Sequence, residues 1–165
     1  MSKQPFVCDT TILLYLGRIG QIDLLPALFA LISVPEQVCL ELDMGRVLRP
    51  DTINPRSLAW VEMVAVSQDM IDSLPPNRLG TGERAVIAYA QAHRGYVAGM
   101  DDLRARQLAE AIGLQVTGTL GILLRAKQAG LIPAVKSLVD DVAAQGFRLS
   151  PELHRAVLGL AGETP

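Results

Sequence analysis

Phe6-Val7-Cys8-Asp9-Thr10-Thr11-Ile12-Leu13-Leu14-Tyr15-Leu16 is the stretch that decides the fold class of this chain. Phe6 to Cys8 is a short apolar run of strand type, Asp9-Thr10-Thr11 is a helix opening, and Ile12 to Leu16 is the apolar helix that follows. The same unit returns when Tyr96 to Met100 runs into Asp101-Asp102 and the helix Leu103 to Ile112. Strands that feed helices through such short connections belong to a parallel sheet covered by helices. In that architecture the acids that follow the strands converge at one carboxyl edge, where sites form.

The rest of the chain reads in the same alternation. Ile22 to Leu31 is expected as a helix, Ile32 to Pro35 as a strand, and Glu36 to Leu42 as a helix with Pro35 beside its start. Asp43 to Pro55, polar and Pro-containing, is expected as a rim loop, and Val61 to Val66 as an outer strand. Pro75-Pro76 and Gly80-Thr81-Gly82 precede a helix from Glu83 to His93, with Val86, Ile87 and Ala90 at helical spacing. Leu114 to Val116 is then a strand and Leu120 to Ala129 a helix. The expected fold is a three-layer α/β/α sandwich with a central parallel sheet. Residues 1–165 are expected as one domain with its core at about 5–130, and the amphipathic segments Ala134 to Ala144 and Pro151 to Leu160, within 133–165, as appended helices.

Composition bounds the chemistry. The 165 residues are half hydrophobic but only 4% aromatic, so the core is aliphatic. A net charge of −2 supplies no overall basic field for nucleic acid. Cys8 and Cys39 cannot build a disulfide framework and sit in apolar runs, as buried free thiols do. Neither a leader of the signal-peptide type nor an apolar run of membrane-spanning length is legible, so a cytoplasmic protein without membrane contact is expected.

Against this light charge, acids stand beside apolar runs at four separated places: Asp9, Glu41, Glu83, and the pair Asp101 and Asp102. Carboxylates gathered within ~4–6 Å repel by several kcal/mol at an effective dielectric of about 20. A divalent cation offsets that repulsion directly and suits phosphodiester hydrolysis, where it activates water and neutralises charge on the leaving oxygen.

Each acid also has a simpler use. Asp9 is a good N-cap, Glu41 a possible solvated helix residue like Glu36, and Glu83 sits at the positive end of its helix. One of Asp101 and Asp102 caps the helix at Leu103; strand geometry favours Asp102 for the cap and Asp101 for the cluster. Arg84, Arg104 and Arg106 lie beside the acids, where they would touch phosphates or balance charge. Thr117-Gly118-Thr119 lacks the Lys and Gly spacing of a phosphate loop and reads as a strand-to-helix turn with a Thr cap. His93 and His154 form no metal-spaced pair.

Val7-Cys8-Asp9-Thr10-Thr11, Val34-Pro35-Glu36-Gln37-Val38 leading to Glu41-Leu42, Gly80-Thr81-Gly82-Glu83-Arg84-Ala85-Val86, Asp101-Asp102-Leu103-Arg104-Ala105-Arg106 and Val116-Thr117-Gly118-Thr119-Leu120-Gly121 together resemble a PIN domain. The likeness is greatest to the bacterial and archaeal subgroup related to the toxins of toxin–antitoxin pairs. It covers about residues 5 to 130 with all five motifs in order. The resemblance implies a Mg2+- or Mn2+-dependent ribonuclease. Asp9, Glu41, Glu83, Asp101 and Asp102 match the family's acids, and Thr10 and Thr11 fall where a hydroxyl often lies near the site. The third acid departs from the pattern, being Glu within a Gly-Glu motif where many of these toxins carry Asp further into the helix. The resemblance further implies RNA as substrate, a small antitoxin partner and a homodimer. A non-catalytic RNA-binding or interaction module on the same scaffold is the alternative. A phosphotransfer domain would need a second Asp at position 11, which is Thr.

Overall fold

The computed structural model describes residues 2–165. Five short strands form one parallel sheet: β1 (Pro5–Cys8), β2 (Leu31–Pro35), β3 (Val61–Val64), β4 (Val97–Gly99) and β5 (Gln115–Thr117). Their order across the sheet is β3-β2-β1-β4-β5. Phe6 is paired with Ile32 on one side and Val97 on the other, so β1 lies at the centre. The chain winds outward to β3, then crosses back to β4 on the far side of β1. The reversal at β1 and β4 makes their carboxyl ends the place where a site is expected in such a sheet.

Nine α-helices are found among the described residues: α1 (Thr10–Arg18), α2 (Leu24–Leu28), α3 (Glu36–Leu48), α4 (Gln68–Asp72), α5 (Thr81–Ala92), α6 (Leu103–Ala111), α7 (Thr119–Gln128), α8 (Lys136–Ala144) and α9 (Pro151–Leu160). Helix α5 packs on β1, β2 and β4 and touches α3, α4 and α6; α7 gathers α1, α2, α8 and α9. These are the two helical layers of the α/β/α sandwich read from the sequence.

The strands read as continuous apolar runs because both faces are covered. Phe6, Val7, Cys8, Val34 and Ala98 are fully buried. Phe6 stacks on Phe29 with ring centroids 4.2 Å apart. That stack needs Gly99, since a Cβ there would lie 2.1 Å from the Phe6 ring. Apolar burial of this kind stabilises by roughly 25 cal/mol per Å2.

Several boundaries differ from the sequence reading. Helix α3 runs on to Leu48, through half of the expected rim loop. Asp43 holds the extension in place: it pairs with Arg46 one turn on and takes both Nη atoms of Arg56 from beyond the helix, at 2.6 and 2.9 Å. The second helix shrinks to Leu24–Leu28, because Leu31 already pairs with Pro5 in the sheet. Helix α4, capped by the Ser67 hydroxyl on the Met70 amide, was not expected.

The chain's last segment is tied to the layer around α7. Glu163 accepts from Lys127 Nζ at 2.8 Å, from the Val135 amide at 2.8 Å and from the Lys136 amide at 3.1 Å. One carboxylate therefore caps α8 and holds α7 to the tail behind α9. These bonds keep the Glu163 carboxyl below the usual carboxylate range, the Lys127 bond foremost.

Candidate active site

Asp9 is the residue after β1, and its amide continues the ladder by donating to Gly99 O at 3.0 Å. This fixes its side chain at the junction of β1 and β4, where it is only 3% exposed. Asp101 and Asp102 follow β4 after Met100, whose amide donates to Thr117 O at 3.0 Å. Glu83 stands in the first turn of α5, and Glu41 reaches in from α3.

Each acid is held by the opening turn of a helix. The Thr10 amide donates to Asp9 Oδ1 at 2.7 Å as α1 begins. The Gly82 amide of α5 donates to Glu41 Oε1 at 2.9 Å, while Thr10 Oγ1 donates to Glu41 Oε2 at 2.5 Å. The Gly80 amide donates to Glu83 Oε2 at 3.1 Å. Thr119, at the start of α7, gives its amide to Asp101 Oδ1 and its hydroxyl to Asp101 Oδ2, both at 2.7 Å. Asp102 Oδ1 accepts the Ala105 amide at 3.1 Å and so caps α6, as its position predicts. Four helix amino ends thus point at one patch of acid, and their partial positive charges offset part of the repulsion.

Two glycines make this packing possible. A Cβ at Gly82 would lie 2.7 and 2.9 Å from the two carboxylate oxygens of Glu41. One at Gly118 would lie 2.7 Å from Asp101 Oδ1 and from Arg106 Nη1. The small side wall lets the neighbouring charged groups lie against the backbone.

The electrostatics show that the acids share one field. Burial pushes the Asp9 carboxyl up to about 8, against the Thr10 amide, which lowers it, and with further upward pushes from Glu41, Glu83 and Asp101. Burial also raises Glu83; the Gly80 amide opposes the shift, Asp102 and Glu41 add to it, and Arg104 lowers it.

The structure places the other candidates unevenly. Thr10 joins the cluster through Glu41, whereas the Thr11 hydroxyl is buried with no partner. Arg104 is exposed near Glu83, Arg106 flanks Gly118, and Arg84 has its Nε buried and unpartnered. The turn Thr117-Gly118-Thr119 has no Thr cap, and Thr119 is a site residue that the sequence reading did not single out. It does not cap α7, whose N-cap is Gly118; it binds an acid 18 positions earlier in the chain. Hydroxyls at a strand-to-helix turn are the available signal, but the partner is set only by the sheet.

As the side chains stand, no three of His, Cys, Asp and Glu among the described residues are gathered closely enough to hold a metal ion. The donor set nevertheless fits a hard divalent cation in kind, being all carboxylate and hydroxyl oxygen around an acid whose carboxyl is raised by burial and by neighbouring acids. Glu83 uses one hydrogen bond and each carboxylate has about four acceptor sites, so lone pairs remain for an ion. A larger cleft of about 470 Å3, lined by Gln4, Arg94, Tyr96 and Gln115, lies at the opposite, amino end of the strands and contains none of these acids.

No curated protein matches the chain at significant similarity. A family model described as PIN domain matches residues 5–163, a span that takes in α8 and α9 as well as the sheet. With the sheet order, the strand-end acids and this match over nearly its whole length, the chain belongs to the PIN-domain family.

Proposed function

We propose that this protein is a divalent-metal-dependent endoribonuclease acting as the toxin of a toxin–antitoxin pair in the cytoplasm. Its fold is that of a family whose members are generally nucleases that use divalent ions. The observation that carries the proposal is the state of Asp9: 3% exposed, with its carboxyl raised to about 8 by burial and by three neighbouring acids. A cation beside an acid so buried and crowded would favour its ionised form.

Asp9, Glu41, Glu83 and Asp101 would hold Mg2+ or Mn2+, with Asp102 beside them as cap and outer charge. When bound, the ion activates water and neutralises charge on the phosphate. The chain's own part is to orient. Thr119 fixes both oxygens of Asp101, Thr10 and Gly82 fix both oxygens of Glu41, and Asp9 is positioned by the strand ladder. Arg84, Arg104 and Arg106 would meet flanking phosphates. The cleavage would leave a 5′-phosphate and a 3′-hydroxyl. A small antitoxin and a second copy of the chain complete this reading as partners.

The alternative is a non-catalytic RNA-binding module. The observation in its favour is that every acid is occupied by an amide or hydroxyl rather than turned toward a common point. The two readings part when purified protein is incubated with total RNA in Mg2+, in Mn2+ and in chelator. Metal-dependent fragments with 5′-phosphate ends support the nuclease. RNA binding without cleavage in either metal supports the alternative.

A further inference from the structure

Asp101 also lines a second feature, a cleft of about 340 Å3 that runs from the acid patch between α7 and the segment joining α8 to α9. Its walls carry Arg106 near the acids, Phe147 and Arg148 farther along, and apolar side chains from α7 and α9 that include Leu120 and Leu153. Arg106 Nη1 and Asp101 Oδ1 flank the same point above Gly118, each 2.7 Å from where a Cβ would stand. The two nevertheless form no direct ion pair, and Asp101 accepts its hydrogen bonds from Thr119 instead. Among the described residues neither the Arg106 nor the Arg148 side chain has a hydrogen-bond or ion-pair partner. The cleft therefore carries two guanidiniums with no direct partner, Arg106 beside the acid patch and Arg148 at its far wall.

Phe147 supplies the third element. It is half-buried, its ring packed at a steep angle to Tyr15 of α1 at 5.2 Å between centroids, and it lines the cleft. Exposed aromatic faces beside spaced cations are how proteins hold single-stranded nucleic acid, with bases stacked and the backbone tracked by charge. The volume lies near the lower end of small-ligand sites, about 300–1,000 Å3, which is room for about one nucleotide.

We infer that this cleft is the seat of the nucleotide next to the scissile phosphate, with Arg106 and Arg148 on its phosphates and its base against Phe147. The inference rests on the ribonuclease reading and gives the α8–α9 segment a function in that site. A single-stranded substrate follows, because a duplex cannot offer one base to a cleft of this size. The chain's overall charge of −2 makes such a local pair of cations the means by which a polyanion is oriented.

The test is fluorescence anisotropy of a short, labelled single-stranded RNA with the full chain, in chelator and over a salt series, beside steady-state cleavage in Mn2+. Arg148→Ala is expected to weaken binding about tenfold, to reduce the salt slope by about 0.7, and to raise KM with kcat held. Phe147→Leu, which keeps an apolar side chain against Tyr15, is expected to weaken binding about fivefold. Arg155→Ala, on α9 but outside the cleft, leaves both readouts unchanged. Loss of binding in the cleft variants of a protein that never cleaves RNA upholds the cleft and overturns the nuclease. Intact cleavage and unchanged RNA affinity in both cleft variants overturns the cleft alone, as does duplex RNA binding with the same affinity and the same response to Arg148→Ala. Loss of a protein partner with RNA affinity unchanged overturns it as well.

Discussion

The Glu41 carboxylate lies against the backbone of Gly82, accepting its amide at 2.9 Å, in a space that any Cβ at position 82 would enter. The contact joins α3 to the positive end of α5 and brings an acid from the outer part of the fold to the strand ends. Gly82→Ala is accordingly expected to push Glu41 aside while leaving the fold intact, since Ala favours a helix over Gly by about 1 kcal/mol. Cleavage should fall at least about tenfold and Mn2+ affinity should drop, measured by calorimetric titration, while the unfolding midpoint moves little. A variant with unchanged Mn2+ affinity would remove Glu41 from the site.

Asp9 makes metal-free stability depend on pH. Its carboxyl is near 8 in the folded chain and near its ordinary value of about 3.9 when unfolded, so the native state binds more protons between those values. The contribution is fully present below about pH 4 and is lost as pH rises toward 8. Asp9→Asn removes this slope. In chelator the variant should gain on the wild type by roughly 2–4 kcal/mol between pH 4 and pH 8, a discounted share of about 1.4 kcal/mol per pK unit. Urea unfolding across that range checks it, and parallel curves for the two proteins would contradict it.

The adjacent aspartates separate by partner. Asp102→Ala removes the cap on the Ala105 amide and should cost about 1 kcal/mol of stability with a modest loss of activity. Asp101→Asn should lower activity by about a hundredfold or more with little change in stability. Thr119→Val, which frees one oxygen of Asp101, should fall between them at about tenfold. Chemical denaturation and single-turnover cleavage on the same preparations give both axes.

Glu163 predicts a local effect of pH. Its carboxyl is lowered by Lys127 and by the amides of Val135 and Lys136, so its contribution is present above the ordinary carboxylate range and lost as pH falls through its folded value. Glu163→Gln should raise hydrogen exchange in α8 and α9 at neutral pH while β1 and β4 keep their protection. Uniform protection in the variant would show that the tail is held by packing alone.

How far these features were legible in the sequence follows from what each depends on. Strands β1 and β4 were legible because both faces are covered, so Phe6-Val7-Cys8 and Val97-Ala98-Gly99 read as unbroken apolar runs ending near an acid. The end of α3 was not, because Met44, Val47 and Leu48 are exposed and the extension is held by Arg56, which lies outside the helix. The five acids stood out by type and neighbours. Their restraints did not, since the bond between Thr119 and Asp101 and that between Gly82 and Glu41 join positions 18 and 41 apart. The Asp102 cap, only three residues long, was readable for the opposite reason.

The central claim is that the acids around Asp9 act together on RNA with a divalent cation. The most direct measurement is cleavage of an end-labelled RNA by wild type and Asp9→Asn, each verified as folded and titrated with Mn2+ from chelator upward. The account predicts metal-dependent cleavage by the wild type and a loss of about a hundredfold or more in the variant at every Mn2+ concentration. Equal cleavage by the two proteins, or cleavage by the wild type that persists in chelator, would contradict it.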